Sequence, residues 1–228
     1  MILAAGRGER MRPLTDATPK PLLKVSDKAL IVWHIEKLAQ AGFDEIVINH
    51  AYLGHMIEAA LGNGEQFDID LFYSPETNAL ETAGGIANAL PLLGDRPFPV
   101  VNADIFSNYD YRDLHAETLM LDEDLARSAH LVMVDNPEHH RDGDFVLQNG
   151  VLVPEGASRL TFSGIGIYRP SFFHAIPRGE KAAFAPLLRA GIADGRISAE
   201  HFTGMWTDVG TPARLEQLNQ AIHAKVIQ

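Results

Sequence analysis

Apolar runs too short for helices alternate with longer amphipathic stretches through the first half of the chain, and few folds accept that rhythm. Residues 1–5 read as a buried strand, trimmed at its start. Over 29–41, "ALIVWHIEKLAQA" sets Leu30, Trp33, Lys37 and Ala41 on one side and Ile31, Ile35 and Leu38 on the other. That spacing predicts a helix, stopped by Gly42. Residues 45–49 ("EIVIN") predict a strand, 53–61 a helix stopped by Gly62, and 69–73 a strand. Thr82 is placed to cap a helix over 83–90, although Gly84 and Gly85 weaken its propensity. Residues 98–102 predict a strand leading into Asp104. Such alternation with short connections implies an α/β fold, a parallel sheet covered on both faces. Sheets of this kind bind ligands at the carboxyl ends of their strands. Gly6, Asn49 and Asp104 each follow a predicted strand, so one crevice can hold all three.

The second half is richer in strands, predicted at 130–134, 144–147 and 160–168. Short helices are expected at 171–175 and 182–190. "MWTDVGT" over 205–211 reads as a strand entering a turn, and Thr211 caps a last helix over 212–224 with Pro212 at its first position. Residues 110–127 read as exposed helix or loop. No Pro/Gly-rich linker separates the halves, which predicts one continuous domain over 1–228. The absence of cysteine excludes disulfides and thiolate metal sites and agrees with a cytoplasmic setting. No apolar run is long enough for a membrane span.

Charge is concentrated in one place. Residues 7–24 hold five cations (Arg7, Arg10, Arg12, Lys20, Lys24) against two carboxylates, a net +3, so the remainder carries −14 of the total −11. An acidic protein with a single basic, glycine-bearing loop is a poor fit to nucleic acid and a better one to a small polyanion such as a nucleotide. Gly6 and Gly8 let backbone N–H groups approach phosphate oxygens, and Arg10 and Lys20 add cations. Neither the P-loop pattern nor G-x-G-x-x-G is present, because Met11 stands at the third glycine position. Pro13, Pro19 and Pro21 stiffen the loop's exit around Lys20. Asp104 and Asp208 are the candidate Mg²⁺ ligands, since strand-end aspartates hold that ion together with substrate phosphates. Taken singly, each is equally a turn aspartate; beside a phosphate loop the metal reading gains. His139 and His140 are neighbours that cannot easily face one zinc ion, and no H-E-x-x-H or G-x-S-x-G occurs.

The segment "LAAGRGERMRPLTDATPKPLLKV" resembles the N-terminal signature of the sugar-1-phosphate nucleotidylyltransferases: L-A-A-G, G-x-R, P-x-T and P-K-P in order. "SPETNALETAGGI", "VVNADIF", "FSGIGIY" and "MWTDVGT" continue the likeness along nearly the whole chain. The resemblance implies a Rossmann-like α/β/α fold with a mixed, mainly parallel sheet, 1–110 serving the nucleotide and 111–228 the sugar. It implies that a nucleoside triphosphate and a sugar 1-phosphate give a nucleotide sugar and pyrophosphate. By position, Leu3, Ala4, Ala5, Gly6, Gly8, Glu9 and Arg10 would hold the nucleotide. Arg10 and Lys20 would neutralise its phosphates, and Asp104 and Asp208 would bind Mg²⁺. Thr82, Gly84 and Gly85 would lie against the nucleoside. Asn49, Glu81, Asn102, Asp144 and Gly164 would contact sugar or ribose. Residues 134–145, with "LTFSGI" after them, look most like the short uridylyltransferases that act on N-acetylmuramate α-1-phosphate in bacterial cell-wall recycling. The same resemblance implies no β-helix after Gln228 and a few strand residues ahead of Met1; a monomer is expected. The chain departs from the family at Ala83 and Ala103, where glycine is usual; the added Cβ atoms would crowd the base or tilt Asp104. Other readings are guanylyl transfer to mannose 1-phosphate, uridylyl or thymidylyl transfer to glucose 1-phosphate, cytidylyl transfer to phosphocholine, and a nucleotide-binding regulator without catalysis.

Overall fold

The computed structural model describes residues 1–226. In chain order its elements are β1 (Ile2–Leu3), β2 (Lys24–Val25), β3 (Lys28–Ala29), α1 (Leu30–Gln40), β4 (Glu45–His50), α2 (Gly54–Leu61), β5 (Asp70–Pro75), α3 (Glu81–Leu93), β6 (Phe98–Asn102) and β7 (Ile105–Ser107). There follow α4 (Tyr111–Glu123), β8 (Ala129–Val134), β9 (Val146–Gln148), β10 (Val151–Val153), β11 (Thr161–Tyr168), α5 (Phe184–Ala193), β12 (Ile197–Phe202), β13 (Trp206–Asp208) and α6 (Pro212–Val226). The main sheet runs β5-β4-β1-β6-β11-β8-β12-β10-β9. Its first four strands are mutually parallel; β11 enters antiparallel to β6 and β8, and β12 pairs parallel to β8. The sheet is therefore mixed, as the resemblance implies.

Period-2 alternation sorts the strand residues onto the two faces. Ile46, Ile48 and Val101 pack with Ile31, Ile35 and Leu38 of α1, Ile57 and Leu61 of α2, and Leu114 and Leu121 of α4. Val47, Val100, Leu131 and Met133 face the other way, against Ile86 and Ala89 of α3 and Leu188 and Ile192 of α5. With both faces covered, the central strands read as continuous apolar runs rather than alternating ones. A third cluster joins Met11, Val25 and Leu30 to Val209 and Leu218, so the glycine loop is pinned to α6.

Several expectations shift. The first strand is shorter than 1–5, because the Ala4 N–H donates to Asn49 Oδ1 at 2.9 Å and leaves the ladder. Thr82 does not cap α3. The helix begins two residues earlier, at Glu81, whose φ is 61°, and its first free N–H groups, of Ala83 and Gly84, donate to Ala182 O at 3.1 and 3.2 Å. It also continues past 90 through Pro91, in its last turn. The strand expected at 144–147 is β9, with Phe145 only bridged to Leu160. Residues 110–127 contain α4, capped by Asp110, which accepts the Arg112 N–H at 3.0 Å. Thr211 does cap α6, accepting the Arg214 N–H at 3.3 Å.

Strand β12 was not anticipated. Its Ser198, buried, and Glu200, half-buried, break the apolar pattern, yet both have partners. Ser198 Oγ lies 2.9 Å from His130 Nδ1, and Tyr109 donates its hydroxyl to Glu200 Oε1 at 2.5 Å. The His130 ring, with Nε2 3.6 Å from Oε1, and the hydrogen bond from Tyr109 hold the Glu200 carboxyl below its ordinary pKa.

Candidate active site

The carboxyl ends of three parallel strands meet in register: Leu3 is opposite Asn49 on one side and Asn102 on the other. Above them opens a crevice of about 210 Å³. Leu3, Ala4, Ala5, Gly6, Lys20, Asn49, Glu81, Thr82, Asn102 and Asp104 line it, so ten of the sequence-selected residues share one space.

The glycine loop is braced from below. Gly8, at φ 71°, accepts hydrogen bonds at its carbonyl from the Met11 N–H (2.9 Å) and the Thr15 hydroxyl (2.8 Å). Met11, at the position where a dinucleotide loop would have glycine, is the fully buried anchor. The loop's arginines divide their tasks. Arg7 donates to Thr15 O at 3.0 Å and lies 3.5 Å over the Tyr52 ring. Arg12 pairs with Asp16 at 3.0 Å and with Glu9 at 3.5 Å. Arg10 is exposed and has no hydrogen-bond or ion-pair partner among the described residues. The N–H groups of Ala5, Gly6, Arg7 and Gly8 likewise donate to no protein acceptor among them. Successive unpaired donors beside a free guanidinium are suited to an anion.

Lys20 is nearly buried, and its Nζ donates to Asp104 Oδ2 at 2.6 Å. Asp104 itself is open to the crevice on its other side. Asp208 stands on the neighbouring ladder: it is opposite Ile105, and the Val209 N–H donates to Asp104 O at 2.7 Å. The two candidate metal ligands are thus brought close in the backbone, Asp104 in the turn before β7 and Asp208 at the end of its partner β13. Asp208 Oδ1 lies 2.6 Å from Arg214 Nη1 and 2.9 Å from His139 Nε2. His140 instead lies 3.0 Å from Asp144 Oδ1. The adjacent histidines therefore face different carboxylates, and no group of three or more His, Cys, Asp or Glu residues arranged for a metal occurs among the described residues. A donor set of two carboxylates suits Mg²⁺, which keeps waters and takes substrate phosphate oxygens for the rest.

Further contacts brace the crevice walls. Asn49, 2% exposed, accepts from Ala4 and donates Nδ2 to Glu76 Oε1 at 2.6 Å; Glu76 also accepts the Leu80 N–H at 2.8 Å. Gly85 packs on this pair: a Cβ there would lie 2.6 Å from Glu76 Oε1 and 2.7 Å from Asn49 Nδ2. Gly84 packs on the backbone of Glu180 and Ala182. Glu81 pairs with Lys181 at 3.2 Å. Gly164, at φ 81°, forms the irregularity in β11 that lets its backbone pass the Asn102 amide, where a Cβ would lie 2.6 Å from Nδ2. The Asn102 amide has no protein partner among the described residues and faces the crevice. Asp144 lies outside the crevice, with Oδ2 accepting the Phe162 N–H at 2.8 Å. Ala83 is fully buried away from the crevice, while the nearly buried Ala103 lines it. Glu76, Arg214 and His139 are site neighbours that sequence reasoning did not assign: Glu76 meets Asn49 and His139 meets Arg214 across remote stretches of chain, and no local motif marks the Arg214–Asp208 contact.

The residues that bring these groups together also match known proteins. Over 221 residues the chain is 54% identical to an N-acetylmuramate alpha-1-phosphate uridylyltransferase of Neisseria meningitidis, covering 95% of each. It is 31% identical to a mannose-1-phosphate guanyltransferase of Hypocrea jecorina over 93% of this chain, and spans 60% of that relative's length. In three dimensions it resembles a Bacillus anthracis protein described as a candidate glucose-1-phosphate thymidylyltransferase, crystallised with a sucrose. The TM-score is 0.84 at 23% identity, covering 96% of this chain and 93% of the other. HddC of Yersinia pseudotuberculosis, complexed with GMP-PN, matches at a TM-score of 0.77 and 20% identity, over 97% of each chain. The nucleotidyl transferase family pattern matches residues 1–225, and the chain belongs to that family.

Proposed function

We propose that this enzyme transfers UMP from UTP to N-acetylmuramate α-1-phosphate, giving UDP-N-acetylmuramate and pyrophosphate. The reading rests above all on the Lys20–Asp104 pair at the mouth of the crevice, in a chain 54% identical to a relative of that name. A cation and a metal-binding carboxylate in contact are what a reaction between two anions needs. The sugar phosphate oxygen attacks the α-phosphorus and pyrophosphate leaves from the opposite side, with no covalent enzyme intermediate. The free N–H groups of residues 5–8 and the unpaired Arg10 would bind the triphosphate, and Lys20 would neutralise the departing pyrophosphate. Asp104 and Asp208 would hold Mg²⁺, which supplies charge neutralisation across the phosphates when bound. Thr82 and Glu81 would flank the nucleoside, and the Asn102 amide would meet ribose or sugar.

Residues 1–110 would serve the nucleotide and 111–228 the sugar, within one unit, since a single sheet runs through both. Among the described residues no helix is long and apolar enough to cross a membrane. The cytoplasm, where UTP is available, is the proposed setting, and cell-wall recycling the proposed use. Mass spectrometry of a mixture of enzyme, UTP, Mg²⁺ and the sugar phosphate should show UDP-N-acetylmuramate, and EDTA should stop its formation. A folded enzyme that forms no such product would refute the assignment.

A further inference from the structure

The Asp208 side of the site holds a cation that phosphate transfer leaves unassigned. Arg214, in the first turn of α6, has a side chain only 15% exposed. Its Nη1 lies 2.6 Å from Asp208 Oδ1 and 2.5 Å from His139 Nε2. A guanidinium offers five N–H donors, yet among the described residues its Nε and Nη2 have no protein partner. Gly210 leaves the space in which this fork lies: a Cβ there would sit 3.0 Å from Arg214 Cζ and 2.8 Å from Asp208 Oδ2. Asp208 is the one carboxylate within ion-pair distance among the described residues. If that carboxylate is taken up by a metal ion, a largely buried arginine is left without a charge partner, which is costly.

The inference rests on the substrate proposed above. N-acetylmuramate differs from N-acetylglucosamine by a lactyl ether that ends in a carboxylate. The sugar's other anion, its 1-phosphate, must reach the Lys20–Asp104 end, where attack occurs. A planar, forked guanidinium matches a planar carboxylate. We propose that Arg214, with His139 beside it, binds the lactyl carboxylate of the sugar substrate and thereby selects it over uncharged N-acetylhexosamine phosphates.

The test compares kcat/KM with UTP for N-acetylmuramate α-1-phosphate and N-acetylglucosamine α-1-phosphate, in the wild type, Arg214→Gln and His139→Gln. Calorimetric affinities for UDP-N-acetylmuramate and UDP-N-acetylglucosamine with Mg²⁺, in the absence of pyrophosphate, give a readout independent of turnover. The wild type should prefer the carboxylate-bearing partner in both measurements. Arg214→Gln should reduce that preference about a hundredfold, the scale of losing one partner of a buried charge pair. His139→Gln should reduce it less but in the same direction, and stands by itself if Arg214→Gln does not fold. Equal losses with both sugars would overturn the proposal, since Arg214 would then serve Asp208 or the shared 1-phosphate. A wild type that uses both sugars equally would overturn it too. A wild type inactive with N-acetylmuramate α-1-phosphate would refute the substrate assignment itself, and this inference with it.

Discussion

Lys20 and Asp104 are 84 residues apart in sequence and 2.6 Å apart in the fold. Both were legible in the sequence, Lys20 from its proline-fixed place after the loop and Asp104 from its place after an apolar strand. Their contact was not, because spacing carries no distance between remote segments. Asp104→Ala should lower kcat at least a hundredfold, in the range of lost electrostatic catalysis, and should also lower the melting temperature, because the nearly buried Lys20 loses its charge partner. Near wild-type turnover in the folded variant would remove Asp104 from the site. Gly8 gives a second residue-scale expectation. Its φ of 71° is one that side chains rarely adopt, and an added Cβ would lie 3.0 Å from Thr15 Cγ2. Gly8→Ala should therefore cost about 1–3 kcal/mol in stability and raise KM for the nucleotide. Denaturant titration with steady-state kinetics checks both, and an unchanged KM would detach the loop from nucleotide binding. Arg214, His139 and Glu76 were not legible: nothing local to "PARLEQ", "EHHRD" or "SPETN" tells which carboxylate, amide or N–H each will meet.

Elements with a clear period, such as α1, β4 and β6, were read almost to their ends. Those whose termination depends on tertiary partners were not. β1 stops early because an asparagine from β4 takes the Ala4 N–H. α3 starts without a side-chain cap because the carbonyl of Ala182 receives its first N–H groups. That docking also explains Gly84, whose missing Cβ leaves room for the Glu180 carbonyl and the Ala182 amide. Gly84→Ala should force the 180–182 segment away from the helix and destabilise the protein by about 1–3 kcal/mol, as overpacking does. Limited proteolysis should then cut near Lys181 faster than in the wild type. Wild-type proteolysis and stability would contradict the packing role. β12 escaped notice because its polar residues, the buried Ser198 and the half-buried Glu200, find partners on His130 and Tyr109, which no local pattern signals.

At the scale of the whole molecule, one sheet carries the glycine loop at its parallel end and the Gly164 bulge beside it, and α6 returns to pin the loop through Met11 and Leu218. The α/β alternation predicted this covered sheet, but the mixed second half followed only from the family resemblance. The core also sets an acid limit. His34 is fully buried between Tyr111 Oη (2.8 Å) and Ile105 O (2.9 Å), and burial lowers its pKa to about 4. The unfolded chain takes up this proton near the ordinary value of 6.5 while the folded one does not, so stability is complete above 6.5 and falls as pH drops towards 4. Urea midpoints between pH 7 and 4.5 should show this loss, and His34→Gln should flatten part of it; an identical profile in that variant would contradict the assignment.

The central claim is the pairing of UTP with N-acetylmuramate α-1-phosphate, and a pyrophosphate-release grid tests it most directly. The four common nucleoside triphosphates are set against that sugar and the 1-phosphates of mannose, glucose and N-acetylglucosamine, with Mg²⁺. UTP with the muramate sugar should give the highest kcat/KM by a wide margin. A higher value for GTP with mannose 1-phosphate, or no release from a folded protein in any combination, would contradict it.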